Sequence, residues 1–464
     1  MKRTRTRGLL ALLAVLALLA GACTSRDDDG GESTDGGGGG GGAEGEESAD
    51  EIAEAYGVED CIADPTAELE GDTLKLVSSY PQSGLTGAFA EIARGWATRF
   101  DEANADGGVD FAGKNVTIEY EDLDDEYNPQ QTASNIEELV GEDGSGAFAV
   151  FSVVGTANNI NIRDFLGELC VPNVFAATGS VAWGNPEYPW MIGSSLVPYT
   201  LEAQAFADYL KENDPDAKVG MLRQADEFGA TYEDGFRQAI EGTDIELVQV
   251  EEYPVGSDQV ATQVTSLAAS GADTFFNGGT LLACPNALTA KDGEGWEATT
   301  WVSGTCISKT LMGIAGAAGA DVLSLTNLKD PLNPEYAEDP AMTDFFAAVE
   351  EYQPDFKGRE LDLENAIIAY GYAQADLFIQ ALADADAPTR LGLMEAVKNM
   401  DGYETPLAHE GVTFTTSGEE DSYMGESFVL VQYDAEAAHF NEISELTDFE
   451  GQTKDLTPEE LITA

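Results

Sequence analysis

Positive charge is what this chain of 464 residues has least of: 22 Lys and Arg stand against 86 Asp and Glu, with two histidines besides. A field of that sign disfavours contact with nucleic-acid phosphates, and equally a flat seat on an anionic membrane. Such an acid excess raises solubility and suits saline surroundings. With only His409 and His439, and no CxxC, a Cys/His metal centre lacks its ligands. A Ser-His-Asp triad would have to draw on those same two late histidines. No GxSxG elbow, HExxH or Walker loop occurs, and the glycine run Gly36 to Gly42 follows no strand, so the chain does not read as an enzyme. The acidic group Asp122, Asp124, Asp125, Glu126 and Asn128 lacks the glycine and terminal glutamate of an EF-hand and reads as a solvated loop. No metal or cofactor is expected. Long apolar runs are missing too: Leu9 to Ala20 is too short to span a bilayer.

That short run has meaning in its place. Lys2, Arg3, Arg5 and Arg7 precede it and it closes on Leu19-Ala20-Gly21-Ala22-Cys23, so residues 1–22 read as a signal peptide. The closing phrase resembles a bacterial lipobox, although the usual leucine three places before the cysteine is Ala20. The resemblance implies lipidation of Cys23; an ordinary secretory signal with an incidental cysteine is the alternative. Residues 23–60 carry Asp27-Asp28-Asp29, seven consecutive glycines and Glu44, Glu46 and Glu47, with almost nothing to bury. Such a segment reads as a flexible tether. Loss of residues 1–22 leaves 18 basic residues against 86 acidic ones, a formal charge of −68. Membrane attachment then falls to the lipid on Cys23.

Four further cysteines, Cys61, Cys170, Cys284 and Cys306, are an even number in an exported chain and admit three disulfide pairings. Cys284 and Cys306 each follow an apolar strand-like run, which pairs them with each other and Cys61 with Cys170. From Thr73 onward strand-like and helical segments alternate: Leu74 to Ser78, Val116 to Tyr120, Ala147 to Val154 and Val171 to Ala177 as strands, with Phe89 to Asn104, Gln130 to Val140 and Asn161 to Leu169 as helices. This predicts an α/β fold with a parallel sheet covered on both faces. A second set starts after Pro198, with strands at Lys218 to Arg223, Glu246 to Glu252 and Thr274 to Asn277. About 390 globular residues exceed one such sheet, so two lobes are expected.

Ordered phrases across residues 73–433 resemble the type 1 periplasmic binding proteins of the branched-chain amino acid transport family. They are Leu74 to Val77 followed by Pro81-Gln82-Ser83-Gly84; Asp101 to Val109; Gly113 to Asp122; Asp226-Glu227-Phe228-Gly229; Tyr253 to Asp258; and Gly411 to Gly418, read as a third crossing. The resemblance implies two Rossmann-like lobes joined by three crossing segments, with the ligand cleft between them. On that pattern lobe 1 takes residues 61–197 and 328–405, lobe 2 takes 198–327 and 406–446, and 447–464 form an acidic tail.

It further implies a ligand set: Ser83, Phe89, Thr156, Ala157, Ala176 and Thr178 from lobe 1, and Phe228, Thr280 and Thr305 from lobe 2. Gly155-Thr156-Ala157 would open a helix and hold an anionic or carbonyl oxygen on its N–H groups. Taken singly, Thr156 is equally a helix cap and Phe89 a core residue. Lobe 2 departs from the family. Its DDxYG tyrosine is Phe228, the next tyrosine-bearing phrase has Thr280, and the acid that holds an ammonium falls near Thr305. The function implied is a monomeric, lipid-anchored extracytoplasmic receptor that delivers a small solute to the permease and ATPase subunits of an ABC importer. A cell-surface sensor or scaffold, or an exported Rossmann-like enzyme, are the alternatives.

Overall fold

The structure, a computed structural model, describes residues 49–463 apart from 364 and 419. The signal segment, Cys23 and the glycine run lie outside the described residues. The first set of elements runs α1 (Ala49–Ala55), β1 (Thr73–Tyr80), α2 (Ala90–Ala105), β2 (Val109–Phe111), β3 (Lys114–Asp124), α3 (Pro129–Val140), β4 (Ala149–Phe151), α4 (Thr156–Leu169), β5 (Asn173–Ala176) and β6 (Met191–Gly193). Their sheet has the order β2-β3-β1-β4-β5-β6, parallel except for β2 on the β3 edge. Ala147 to Val154, expected as one strand, keeps only three strand residues because Ser152 turns to φ 54°. The end of the expected tether is folded as well. Tyr56, after α1, is buried 5.6 Å from Trp190, whose indole donates to the Tyr56 carbonyl.

The second set runs α5 (Tyr199–Asn213), β7 (Lys218–Gln224), α6 (Glu227–Ala239), β8 (Glu246–Tyr253), α7 (Ala261–Ala269), β9 (Thr274–Gly278), α8 (Ala283–Glu294), β10 (Thr299–Val302), α9 (Lys309–Ala315) and β11 (Leu323–Thr326). The chain then forms α10 (Pro340–Tyr352), α11 (Ala366–Asp384) and α12 (Arg390–Lys398) before β12 (Ser427–Asp434), β13 (His439–Glu442), β14 (Thr447–Asp448) and α13 (Glu459–Ile462). The second sheet has the order β13-β12-β11-β10-β9-β7-β8, with β14 on β12. Strands β7 to β11 are parallel; β12 and β13 extend the sheet antiparallel, which the alternating pattern did not foretell. The parallel parts of the two sheets repeat one order, so each reverses direction once: between β1 and β4, and between β7 and β9. Ligands of doubly wound sheets sit at the carboxyl ends of strands beside such reversals.

Each sheet carries its own aromatic core. Trp96, Phe100, Phe151 and Phe378 interlock in the first, Phe206, Phe236, Phe276 and Trp301 in the second. Helix α11 lies against α2, which returns the chain to the first lobe as expected. Arg99 and Asp376 pair at 3.0 Å across the contact. Both disulfides have the expected partners, Cys61–Cys170 and Cys284–Cys306.

Three segments cross between the lobes and touch. Asn327 Nδ2 donates to the Ser195 carbonyl at 2.6 Å, and a side chain on Gly425 would stand 2.5 Å from that same oxygen. The third crossing thus falls beside Gly425 and not at Gly411 to Gly418, because Val412 and Phe414 are packed into the first-lobe core. Residues 447–463 are likewise no free tail. β14 pairs with β12, and Leu461 and Ile462 are buried against Val181 and Tyr423.

Candidate functional site

One cleft collects the carboxyl ends of strands from both sheets and runs back to the crossing segments, with about 1270 Å³ of empty space, open mouth included. Six of the nine expected ligand residues line it: Phe89, Thr156 and Thr178 from the first lobe, Phe228, Thr280 and Thr305 from the second. The other three do not. Ser83 is exposed and gives its hydroxyl to Asp124 Oδ2 at 2.5 Å. Ala176 is buried among Trp183 and Met191, while Ala157, in the first turn of α4, is half-buried and does not line the cleft.

The first-lobe wall is a pair of hydroxyls on a helix start. Gly155 caps α4 at φ 105°, and a Cβ there would sit 2.8 Å from both Tyr127 and Asn158, so only glycine brings this N-terminus into the cleft. Thr156 and Thr178, 1 % and 2 % exposed, place their hydroxyls 2.6 Å apart. The α4 N-terminus adds the N–H groups of its first turn and the positive end of its dipole, an arrangement that receives an oxygen anion or a carbonyl. Above it Phe89 packs on Tyr127, ring centres 6.2 Å apart.

The second-lobe wall is built on α5. Pro198 starts that helix and puts Tyr199 and Glu202 on its buried face. Glu202 is 1 % exposed; its Oε1 accepts from Trp301 Nε1 (2.9 Å) and Gly304 N (3.0 Å), and its Oε2 lies 2.7 Å from the Tyr232 hydroxyl. Burial pushes its pKa up to about 7 against those donors. Tyr232 reaches Ser303, Ser303 reaches Thr305, and Thr305 reaches Thr280, so a file of hydroxyls joins Glu202 to the cleft surface. Phe228 sits edge-on to Tyr199, ring centres 5.1 Å apart. Asp226, which could have replaced the missing ammonium partner, is turned to other work: it caps α6 through Gly229 N and accepts from Gln224.

Lys329 is the cation lining the described cleft, and Asp339 holds it at 2.7 Å. At the crossing end stand Tyr336, His409 and Glu442. Burial lowers the His409 pKa, against the pull of the Glu442 carboxylate. The residues that the sequence left unnamed, Tyr127, Tyr199, Glu202 and Tyr370, project from helices and loops whose lobe-facing side is set by packing. Glu202 alone carried a signal: an acid on the apolar face that also holds Leu201, Ala205 and Phe206.

Two sheets of repeated order, three crossings and a shared cleft with a polar wall on each side define a two-lobed α/β binding protein. The chain belongs to the periplasmic binding protein family, whose model matches residues 73–438. It is 26 % identical over 263 residues to the Leu/Ile/Val-binding protein homolog 3 of Brucella melitensis, covering 56 % of this chain and 68 % of that one. Among solved structures it resembles a branched-chain amino acid ABC transporter protein from Thermus thermophilus with bound valine. That match has a TM-score of 0.71 at 17 % identity and covers 83 % of this chain and 99 % of the other. It also resembles an R. palustris solute-binding protein in complex with 4-hydroxybenzoate, with a TM-score of 0.67 at 17 % identity, covering 81 % and 97 %. Proteins of this family bind solutes for transporters and are not enzymes. The family is extracytoplasmic, and no described helix is long and apolar enough to cross a membrane.

Proposed function

We propose that this chain captures a small solute outside the cytoplasmic membrane, closes its two lobes over it and presents it to the permease and ATPase subunits of an ABC importer, acting as a monomer held by a lipid on Cys23. The observation that carries this reading is the cleft itself. Hydroxyls and a helix start from one lobe face a hydroxyl file from the other, and three touching crossings join the lobes. Such a site supplies binding energy from both sides only when closed, which is how hinge proteins couple occupancy to shape. The two relatives solved with valine and with 4-hydroxybenzoate share a carboxylate in their solutes. The Gly155–Thr156 helix start suits that group. The test is a thermal-shift screen with amino acids, amides, urea, short-chain acids, aromatic acids and sugars. A micromolar ligand at millimolar concentration adds about 4 kcal/mol of stability, so one chemical class should raise the melting temperature clearly. No shift with any class would sink the reading.

A further inference from the structure

Two bulky residues at strand ends, one from each lobe, sit in left-handed backbone, and both are buried. Tyr127, in the loop after β3, has φ 62°, next to Glu126 at φ 50°; Leu281, in the loop after β9, has φ 49°. A bulky side chain rarely takes this conformation, which costs free energy and persists where the surroundings over-determine it. At Tyr127 those surroundings are plain. Asp125 is buried beneath the loop and accepts from Ser79 Oγ, Thr132 Oγ1 and Tyr127 N, each at 2.9 Å. The acidic loop that the sequence presented as solvated is thus anchored at its centre and turns one ring inward. At Leu281 the chain passes from β9 into α8, with Thr280 N held on the Tyr253 hydroxyl at 3.1 Å and the Leu281 carbonyl accepting from Cys284 N at 3.2 Å.

The two side chains come together across the cleft. Tyr127 packs on Phe89, and a Cβ on Gly155 would stand 2.8 Å from its ring. Its hydroxyl faces Gln224 and Asp226 of lobe 2. Leu281, 4 % exposed, belongs to the apolar cluster that holds Phe89 and Tyr127; among the described residues it is the one member of that cluster drawn from residues 198–327. Tyr127 and Leu281 also line a small outer pocket of about 260 Å³, together with Leu85 and the surface loop Gly256 to Asp258. Tyr127 lines the main cleft as well, and Leu281 does not. The pair therefore partitions the solute space from the outside, at a place to which Ser195, Asn327 and Gly425 of the crossings contribute nothing. An apolar contact that spans the lobes exists only while they are together. Opening the hinge carries Leu281 into water with one lobe and uncovers Tyr127 on the other, at a cost that scales with the apolar area exposed.

We propose that Tyr127 and Leu281 form a clasp at the cleft mouth that holds the closed, loaded state, with Leu281 a positioning residue that governs solute retention without touching the solute. The inference rests on the solute-capture reading and adds the contact that sets how long the solute stays.

Leu281→Ala tests it, because this side chain lies outside the main cleft. In stopped-flow binding on the full chain, with 4-hydroxybenzoate and L-valine as probes, the dissociation rate should rise about tenfold, the effect of losing most of one buried leucine's contact. The association rate should stay as in wild type. So should the melting temperature of the solute-free chain, whose open lobes already expose Leu281. Leu281→Met should restore slow release. An unchanged dissociation rate, or a solute-free melting temperature that falls along with the affinity, would overturn the proposal. A second measurement needs no solute. Tyr127→Cys and Leu281→Cys, introduced together, should be joined by a short bismaleimide as the lobes sample closure, with the link read by mass spectrometry of the digest. Absence of the link would overturn the proposal. The link formed, with no binding by either probe or by any solute of the screen, would instead overturn solute capture.

Discussion

Thr156 and Thr178 differ from ordinary caps because their hydroxyls meet at 2.6 Å in a cleft and not on a solvated surface. Thr178→Val removes one partner of the pair and one contact to an oxygen-bearing solute. We expect a loss of about 1–1.5 kcal/mol in binding, roughly tenfold in Kd, together with a lower melting temperature, because the buried Thr156 hydroxyl and Ser180 N–H lose a partner. Calorimetry on a solute identified in the screen checks it; an unchanged Kd would return Thr178 to a purely structural role. A second residue governs pH behaviour. Glu426, fully buried beside Asp421, accepts from Gly451 N and Thr453, and its pKa is pushed up to about 8, chiefly by burial. The folded protein thus holds a proton that the unfolded chain releases near pH ~4.3. Stability should fall as pH rises through that window up to about 8. Glu426→Gln should lessen the slope of urea-unfolding free energy against pH, and an unaltered slope would refute the assignment. These carboxyls look like any others in a chain with 86 of them. Only enclosure, which folding creates, tells them apart.

At the scale of elements, α2 and α11 approach through glycine. A Cβ on Gly371 would lie 1.9 Å from the Ile92 carbonyl, and one on Gly95 would lie 2.1 Å from that of Ile368. Gly371→Ala should therefore force the helices apart and cost about 1–3 kcal/mol, measured by denaturant unfolding, although alanine is the better helix former. A stabilised variant would mean that the crossing is looser than the structure has it. The periodicity of these helices was legible from their sequences, since Phe89 to Asn104 and Leu363 to Ala383 show the spacing of α2 and α11. Their partnership across 270 residues was not. Strands were read unevenly. β1, β3, β7 and β8 could be read, and so could the short β4, β5 and β9, but the three residues of β6 and the four of β11 were missed, and β12 takes its place by antiparallel pairing with β11.

For the whole molecule, the three crossings meet at the Ser195 carbonyl, touched by Asn327 and closely approached by Gly425. Around this joint, ligand binding should pull an open population closed. A saturating solute should lower the radius of gyration in small-angle scattering, and a tightly bound solute that leaves it unchanged would argue against hinge closure. By itself the sequence determined the α/β alternation, the need for two lobes and both disulfide partners, because strand and helix periods and an even cysteine set are local signals, while six cleft residues followed from the resemblance of its phrases to a family. Only the tertiary structure decided that residues 49–60 and the C-terminal segment are folded, that Ser83, Ala157 and Ala176 stand outside the cleft, and that Glu202 stands at the root of its second wall. Those outcomes depend on which distant surfaces enclose a side chain and withhold water from it, and no stretch of neighbouring residues carries that information.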